Sequence, residues 1–260
     1  MECILKRDAS DTPLSTWDEI SVMHRAGVID FESHSYDHSL IFTSPNIVDF
    51  VNPAALEKYH SFEFPRIRHS QTAFSDINKL GAPLYTTNPR LSDSVRYCDD
   101  KDLGDACVSY VQMHGDTEFF TKDNWKSSLY NYVESYRSKH GISDRYETGD
   151  EQLEAIRFEL IKSKETIEKY LPGKTVCHLC YPWGVGGENA RVISKQEGYA
   201  TNFVEDRQRK ALVGQDLFSI NRISEDFIYC LPGKNKKSFF KVMSEKINRR
   251  LVRGSPYLSH

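Results

Sequence analysis

The stretch Val28-Ile29-Asp30-Phe31-Glu32-Ser33-His34-Ser35-Tyr36-Asp37-His38 decides how this chain is read. A short apolar run, Val28 to Phe31, predicts a strand. It ends in a polar loop that carries two imidazoles four residues apart. The loop thus leaves the carboxyl end of a strand, where α/β barrels place their chemistry. His34 and His38 are spaced to hold one metal ion, zinc by default or another divalent transition metal. Ser35 and Asp37, between them, are placed to fix the loop, as hydrogen bonds around ligand imidazoles do. No Glu follows the first His, so the His-Glu-x-x-His reading of a zinc protease fails. The plainer alternative is two satisfied surface histidines.

Upstream, Thr16-Trp17-Asp18-Glu19 reads as a capping box. Ile20, Met23 and His24 follow at helical spacing, and Gly27 is a natural stop. Helix, glycine, strand and polar cluster make one step of a βα barrel. Downstream, residues 40–148 carry Pro45, Pro53, Pro65, Pro83 and Pro89 among scattered aromatics. They read as a long insertion, mostly irregular or helical, with helices near Lys101 to His114 and Trp125 to Lys139; such excursions face substrate in many enzymes. Beyond Gly149, residues 150–170 have a helical apolar period through Leu153, Ile156, Leu160, Ile161 and Ile167. Strands are expected over Thr175 to Tyr181, Tyr199 to Val204 and Leu217 to Ile223. Helices are expected over Asn189 to Gln196 and Ser238 to Leu251. Alternating strands and helices predict an α/β fold with a mainly parallel sheet, in a single domain over 1–260.

The bulk numbers narrow the function classes. A hydrophobic content of 39% and a charged content of 27% are ordinary for a globular chain. A net charge of −3 gives no general case for nucleic acid. No window approaches the ~20 apolar residues of a membrane span. The first residues have no apolar core of a signal peptide, which slightly favours the cytoplasm for the chain as given and leaves its compartment open. Cys177 and Cys180 form a lone C-x-x-C, so the six Cys read as buried core thiols rather than a structural zinc site. The basic stretch Lys234-Asn235-Lys236-Lys237 is an anion patch or simply a solvated helix face.

The segment Thr16 to His38, TWDEISVMHRAGVIDFESHSYDH, closely resembles the second motif region of the polysaccharide deacetylase (NodB-homology) family, carbohydrate esterase family 4. A second region, His178 to Gly184, HLCYPWG, with the helix and Gly198-Tyr199 behind it, is similar to that family's later aromatic-Pro-aromatic-Gly segment. The resemblance implies a distorted (β/α) barrel and hydrolysis of an acetyl group on a sugar. It implies His34 and His38 as metal ligands, the Trp183 backbone N–H as oxyanion donor, and Tyr181 and Pro182 at the substrate. It implies an acetylated glycan as partner. In such chemistry the metal polarises the acetyl carbonyl and activates water, a carboxylate takes the proton, and an N–H holds the oxyanion. From spacing alone, Tyr181-Pro182-Trp183 is also readable as an aromatic turn closing a strand.

The family's opening Thr-Phe-Asp-Asp, which supplies base and third ligand, has no counterpart before Thr16. Its late Leu-x-Leu-His, the source of an acid, is replaced near Phe218-Ser219-Ile220-Asn221-Arg222, which has no His. A barrel lacking its first strand would expose unpaired edges. Two explanations compete: a natural chain that starts upstream of Met1, which is the favoured expectation and implies a barrel incomplete at its N-terminus, or a divergent, inactive relative. The leading function is metal-dependent deacetylation of a carbohydrate, at a carbon–nitrogen bond outside a peptide. The alternatives are an inactive sugar-binding relative or fragment, and an unrelated α/β enzyme in which the His pair is coincidence.

Overall fold

The computed structural model describes residues 15–58, 79–205, 216–222, 240 and 244. Its elements run α1 (Trp17–Arg25), β1 (Leu40–Phe50), α2 (Pro53–Lys58), β2 (Pro83–Pro89), β3 (Tyr97–Cys98), α3 (Lys101–Met113), α4 (Trp125–His140), β4 (Arg145–Tyr146), α5 (Gly149–Tyr170), β5 (His178–Cys180), α6 (Glu188–Gln196), β6 (Thr201–Val204) and β7 (Ile220–Asn221). The fold is mixed α/β. Among the described residues no closed barrel forms, and no helix is long and apolar enough to cross a membrane.

The parallel sheet is small. β5 pairs with β6, and β6 with β7, all parallel. On the free side of β5 the only described partner is Ser33, in a single parallel bridge to Leu179. Val28 to Phe31 is therefore not the strand its apolar character predicts. Val28 is 74% exposed, and the Glu32 carboxylate takes the amides of Cys177 and His178 at 2.9 Å. A longer strand here would need a ladder, and the Glu32 side chain occupies its donors. Lys174 then pairs with both Glu32 and Asp30. The same competition shortens the predicted Thr175–Tyr181 strand to three residues. The expected Tyr199–Val204 strand shrinks to Thr201–Val204, and the expected Leu217–Ile223 strand starts later, with Ile220–Asn221 paired and Ile223 outside the described residues.

The helices follow the sequence closely. α1 opens on the expected capping box, the Glu19 N–H donating to Thr16 Oγ1 at 3.3 Å and the Thr16 N–H to Glu19 Oε2 at 2.8 Å. α5 begins on a second box, Thr148 with Glu151. Its buried face is Gln152, Ile156, Glu159, Leu160, Ser163 and Thr166, while Leu153 of the expected stripe is exposed. α5 packs over the sheet, where Ile156, Leu160, Val176, Leu179 and Tyr181 make one core. Trp17 stacks on Tyr170 at 4.4 Å and fastens α1 to the end of α5.

The described parts of 40–148, residues 40–58 and 79–148, are more regular than expected, and Pro65 lies outside the described residues. β1 and β2 form an antiparallel pair, with the register broken between Phe42 and Ile47. Pro45 falls within that irregular stretch, so its missing N–H costs the ladder little. α3 and α4 form a helical lobe over Phe50, Cys107, Val111 and Leu129. The thiols also depart from expectation. Cys107 is buried, but Cys98, Cys177 and Cys180 are only half-buried, and all four are free. Cys3, Cys230, the basic stretch at Lys234 and most of the expected C-terminal helix lie outside the described residues; residues 240 and 244 are helical.

Candidate metal centre

The carboxyl ends of the parallel segments meet at one rim. His34 follows Ser33, Tyr181-Pro182-Trp183 follows β5, Glu205 follows β6 and Arg222 follows β7. Open parallel sheets bind ligands at this end.

His34 Nδ1 lies 2.6 Å from the Cys180 carbonyl oxygen. A carbonyl only accepts, so Nδ1 carries the proton and Nε2 is left as the basic nitrogen. The His34 and His38 ring centroids are 5.0 Å apart. Two imidazoles that share a tetrahedral ion through bonds of about 2.0–2.1 Å would set their ring centres about 5 Å apart, so the pair fits that use. Burial chiefly lowers the His34 pKa, the hydrogen bond to Cys180 opposes it, and the charge of Arg222 adds to the lowering. For His38, burial and then His34 push the value down to about 4. Both rings are thus neutral near pH 7, the form that binds metal. Among the described residues, no group of three or more His, Cys, Asp or Glu side chains is gathered to share an ion.

The loop is held in an unusual backbone shape. Ser35 and His38 have φ of 67° and 51°. The Ser35 hydroxyl accepts from the His38 N–H at 3.0 Å, the loop-fixing role expected of it. The Asp37 backbone N–H donates to Glu159 Oε2 at 3.0 Å.

Trp183 closes the site. Its ring centroid is 4.0 Å from that of His38, and its φ is 52°. Among the described residues, none accepts a hydrogen bond from its N–H. Tyr181 is 1% exposed and its hydroxyl accepts from Asn202 Nδ2 at 2.8 Å. Tyr181 and buried Pro182 therefore build the turn, with the Tyr181 ring packed under Gly186. The structure brings His34, His38 and Trp183 together. His114 stands apart, at the end of α3 with Nδ1 on the Tyr110 carbonyl oxygen; His178 is held by Thr201.

Three further residues of this region are assigned by no sequence motif. Arg222 donates to Cys180 Sγ at 3.1 Å and to Glu205 Oε2 at 3.2 Å, in the segment where the family's late His would fall. Glu159 is the third. Arg90 and Asp93 are structural: Arg90 is buried in a bidentate pair with Glu147, and Asp93 caps α6 at the Asn189 and Ala190 amides.

No protein-family model and no curated protein matches this chain. Among solved structures it is similar to a de-N-acetylase from Aggregatibacter actinomycetemcomitans, at 13% identity and a TM-score of 0.42, over 93% of this chain and 59% of that one. It is also similar to the BpsB deacetylase domain from Bordetella bronchiseptica, at 15% identity and a TM-score of 0.44, over 80% of this chain and 48% of that one. The chain thus spans about half of those proteins' length. Likeness this slight carries no argument about shape or chemistry.

Proposed function

We propose that this chain is a metal-dependent carbohydrate deacetylase, a hydrolase that cleaves an acetyl group from a sugar nitrogen, on a distorted (β/α) barrel. The observation that supports it most is the meeting of two motifs distant in sequence: His34 bonds to the Cys180 carbonyl oxygen at 2.6 Å and His38 packs on Trp183 at 4.0 Å. His34 and His38 would hold zinc or another divalent transition metal. When bound, that ion supplies a Lewis acid for the acetyl carbonyl and for water. Trp183 donates its N–H to the carbonyl oxygen as negative charge develops there. Tyr181 and Pro182 shape the turn that presents this N–H. The acetylated glycan enters at the rim on the exposed side of His34.

The test is zinc stoichiometry and affinity on the full 260-residue chain, followed by acetate release from acetylated glycans. His34→Ala and His38→Ala should each lose the zinc and any turnover. Wild-type zinc affinity in both variants would sink the proposal. Zinc and glycan binding without acetate release would instead make the chain a sugar-binding relative.

A further inference from the structure

Glu159 is a carboxylate in the wrong place for a solvated helix. It lies in the middle of α5, only 6% exposed, on the face packed against the sheet. A charge taken from water is costly unless donors replace the water. Here the histidine loop supplies three of them. Oε2 accepts the backbone N–H groups of Tyr36 at 3.1 Å and Asp37 at 3.0 Å. Oε1 accepts the Ser39 hydroxyl at 3.1 Å. One turn further along α5, the Ser163 hydroxyl lies 2.8 Å from that of Ser33, in a buried pair. Ser33 precedes His34, Tyr36 and Asp37 lie between the imidazoles, and Ser39 follows His38. The helix therefore grips the loop on both sides of each histidine.

The grip also answers a conformational question. Ser35 and His38 sit at positive φ, a strained conformation for a residue other than glycine. Such a backbone persists only where its surroundings over-determine it. Charge-assisted bonds to two successive amides between Ser35 and His38 supply that constraint.

We infer that Glu159 is a positioning residue, one that sets the His34–His38 loop in its metal-holding shape without touching the ion. The inference rests on the metal reading of that loop, and its test separates the two. Glu159→Gln keeps the shape of the side chain but loses its charge and one acceptor. Two quantities are read on the full chain: zinc affinity by chelator competition, and metal-free amide exchange at Tyr36 and Asp37 by NMR.

Zinc affinity should fall about 10–100-fold in a protein that keeps its overall fold, as for other groups that orient metal ligands. Exchange at Tyr36 and Asp37 should speed up about tenfold, with the sheet amides of Leu179 and Phe203 unchanged. Wild-type affinity with unchanged exchange overturns the inference. Faster exchange spread evenly through α5 and the sheet also overturns it, since that marks a merely structural role. If the wild type binds no zinc, the metal reading fails, and local exchange alone decides whether Glu159 sets the loop. Ser39→Ala serves should Glu159→Gln not fold. It removes only the Oε1 contact, and the same local acceleration is expected, with wild-type exchange overturning the inference.

Discussion

At the scale of single residues, the site is marked by backbone shape as much as by chemistry. Ser35, His38 and Trp183 hold φ between 51° and 67°, and each is a residue with a side chain. The neighbour of Trp183 shows how tightly that turn is drawn. Gly184 has φ of 74°, and a Cβ added there would overlap the Glu205 side chain and backbone. Gly184→Ala should therefore destabilise the protein by more than about 1 kcal/mol, from strain and overlap together. Urea unfolding checks this, and a midpoint equal to wild type would show that the turn can relax. His34, His38 and Trp183 were legible in the sequence because short motifs carry them. Glu159 was not, although one clue existed: it stands between Ile156 and Leu160 on the apolar face, where a solvated charge has no place. What it reaches depends on a loop 120 residues away, and no local pattern encodes that.

At the scale of elements, helices were readable nearly to their ends, whereas the parallel strands were placed but drawn too long, and others were missed or over-read, for a physical reason. Helices carry their own hydrogen bonds, and their caps are written beside them. α5 shows this at its start, where Thr148 and Glu151 close a capping box and Arg145 pairs with the Glu151 carboxylate. The bonds from Arg145, then from the Thr148 backbone, hold Glu151 down to about 2 against an ordinary 4.5. The folded value is the lower one, so the unfolded chain binds the proton more readily. The stabilising effect of the Glu151 charge is complete above about pH 4.5 and fades as the pH falls towards about 2. Glu151→Gln keeps the cap and removes the charge. The stability gap between wild type and variant should thus be constant near neutrality and close on acidification, and it should shrink with added salt because the pair is exposed. Unfolding curves at pH 7, 4 and 3 would read it; a gap that holds its size at about pH 3 would show that the charge is not involved. Strands, in contrast, need partners. β1 was hidden because Pro45 argued against a strand, and only the break in register opposite β2 makes room for it. Val28 to Phe31 was over-read because the side chain of Glu32, not a backbone, meets the amides of β5.

At the scale of the whole molecule, the described residues pack around three cores with different relations to the rim. One lies between α5 and the parallel sheet and includes Leu179, which pairs with Ser33 immediately before His34. A second lies under β1 and β2, and a third fills the helical lobe of α3 and α4. Ile47 packs against both of the latter, so they are joined to each other. The candidate site draws its supports from the first core: Cys180 from β5, Glu159 and Ser163 from α5. This division predicts a separation of stability from metal binding. Leu129→Ala, in the helical lobe, and Leu179→Ala, in the sheet, both empty a site with 0% exposure. Each should cost about 2–5 kcal/mol. Only Leu179→Ala should also weaken zinc binding, because β5 sets the Cys180 carbonyl that orients His34. The comparison is made below the unfolding transition of both variants, with chelator competition on the folded protein and urea curves run in parallel. Loss of zinc affinity in folded Leu129→Ala would mean that the helical lobe, read from sequence as an excursion, is part of what shapes the metal centre.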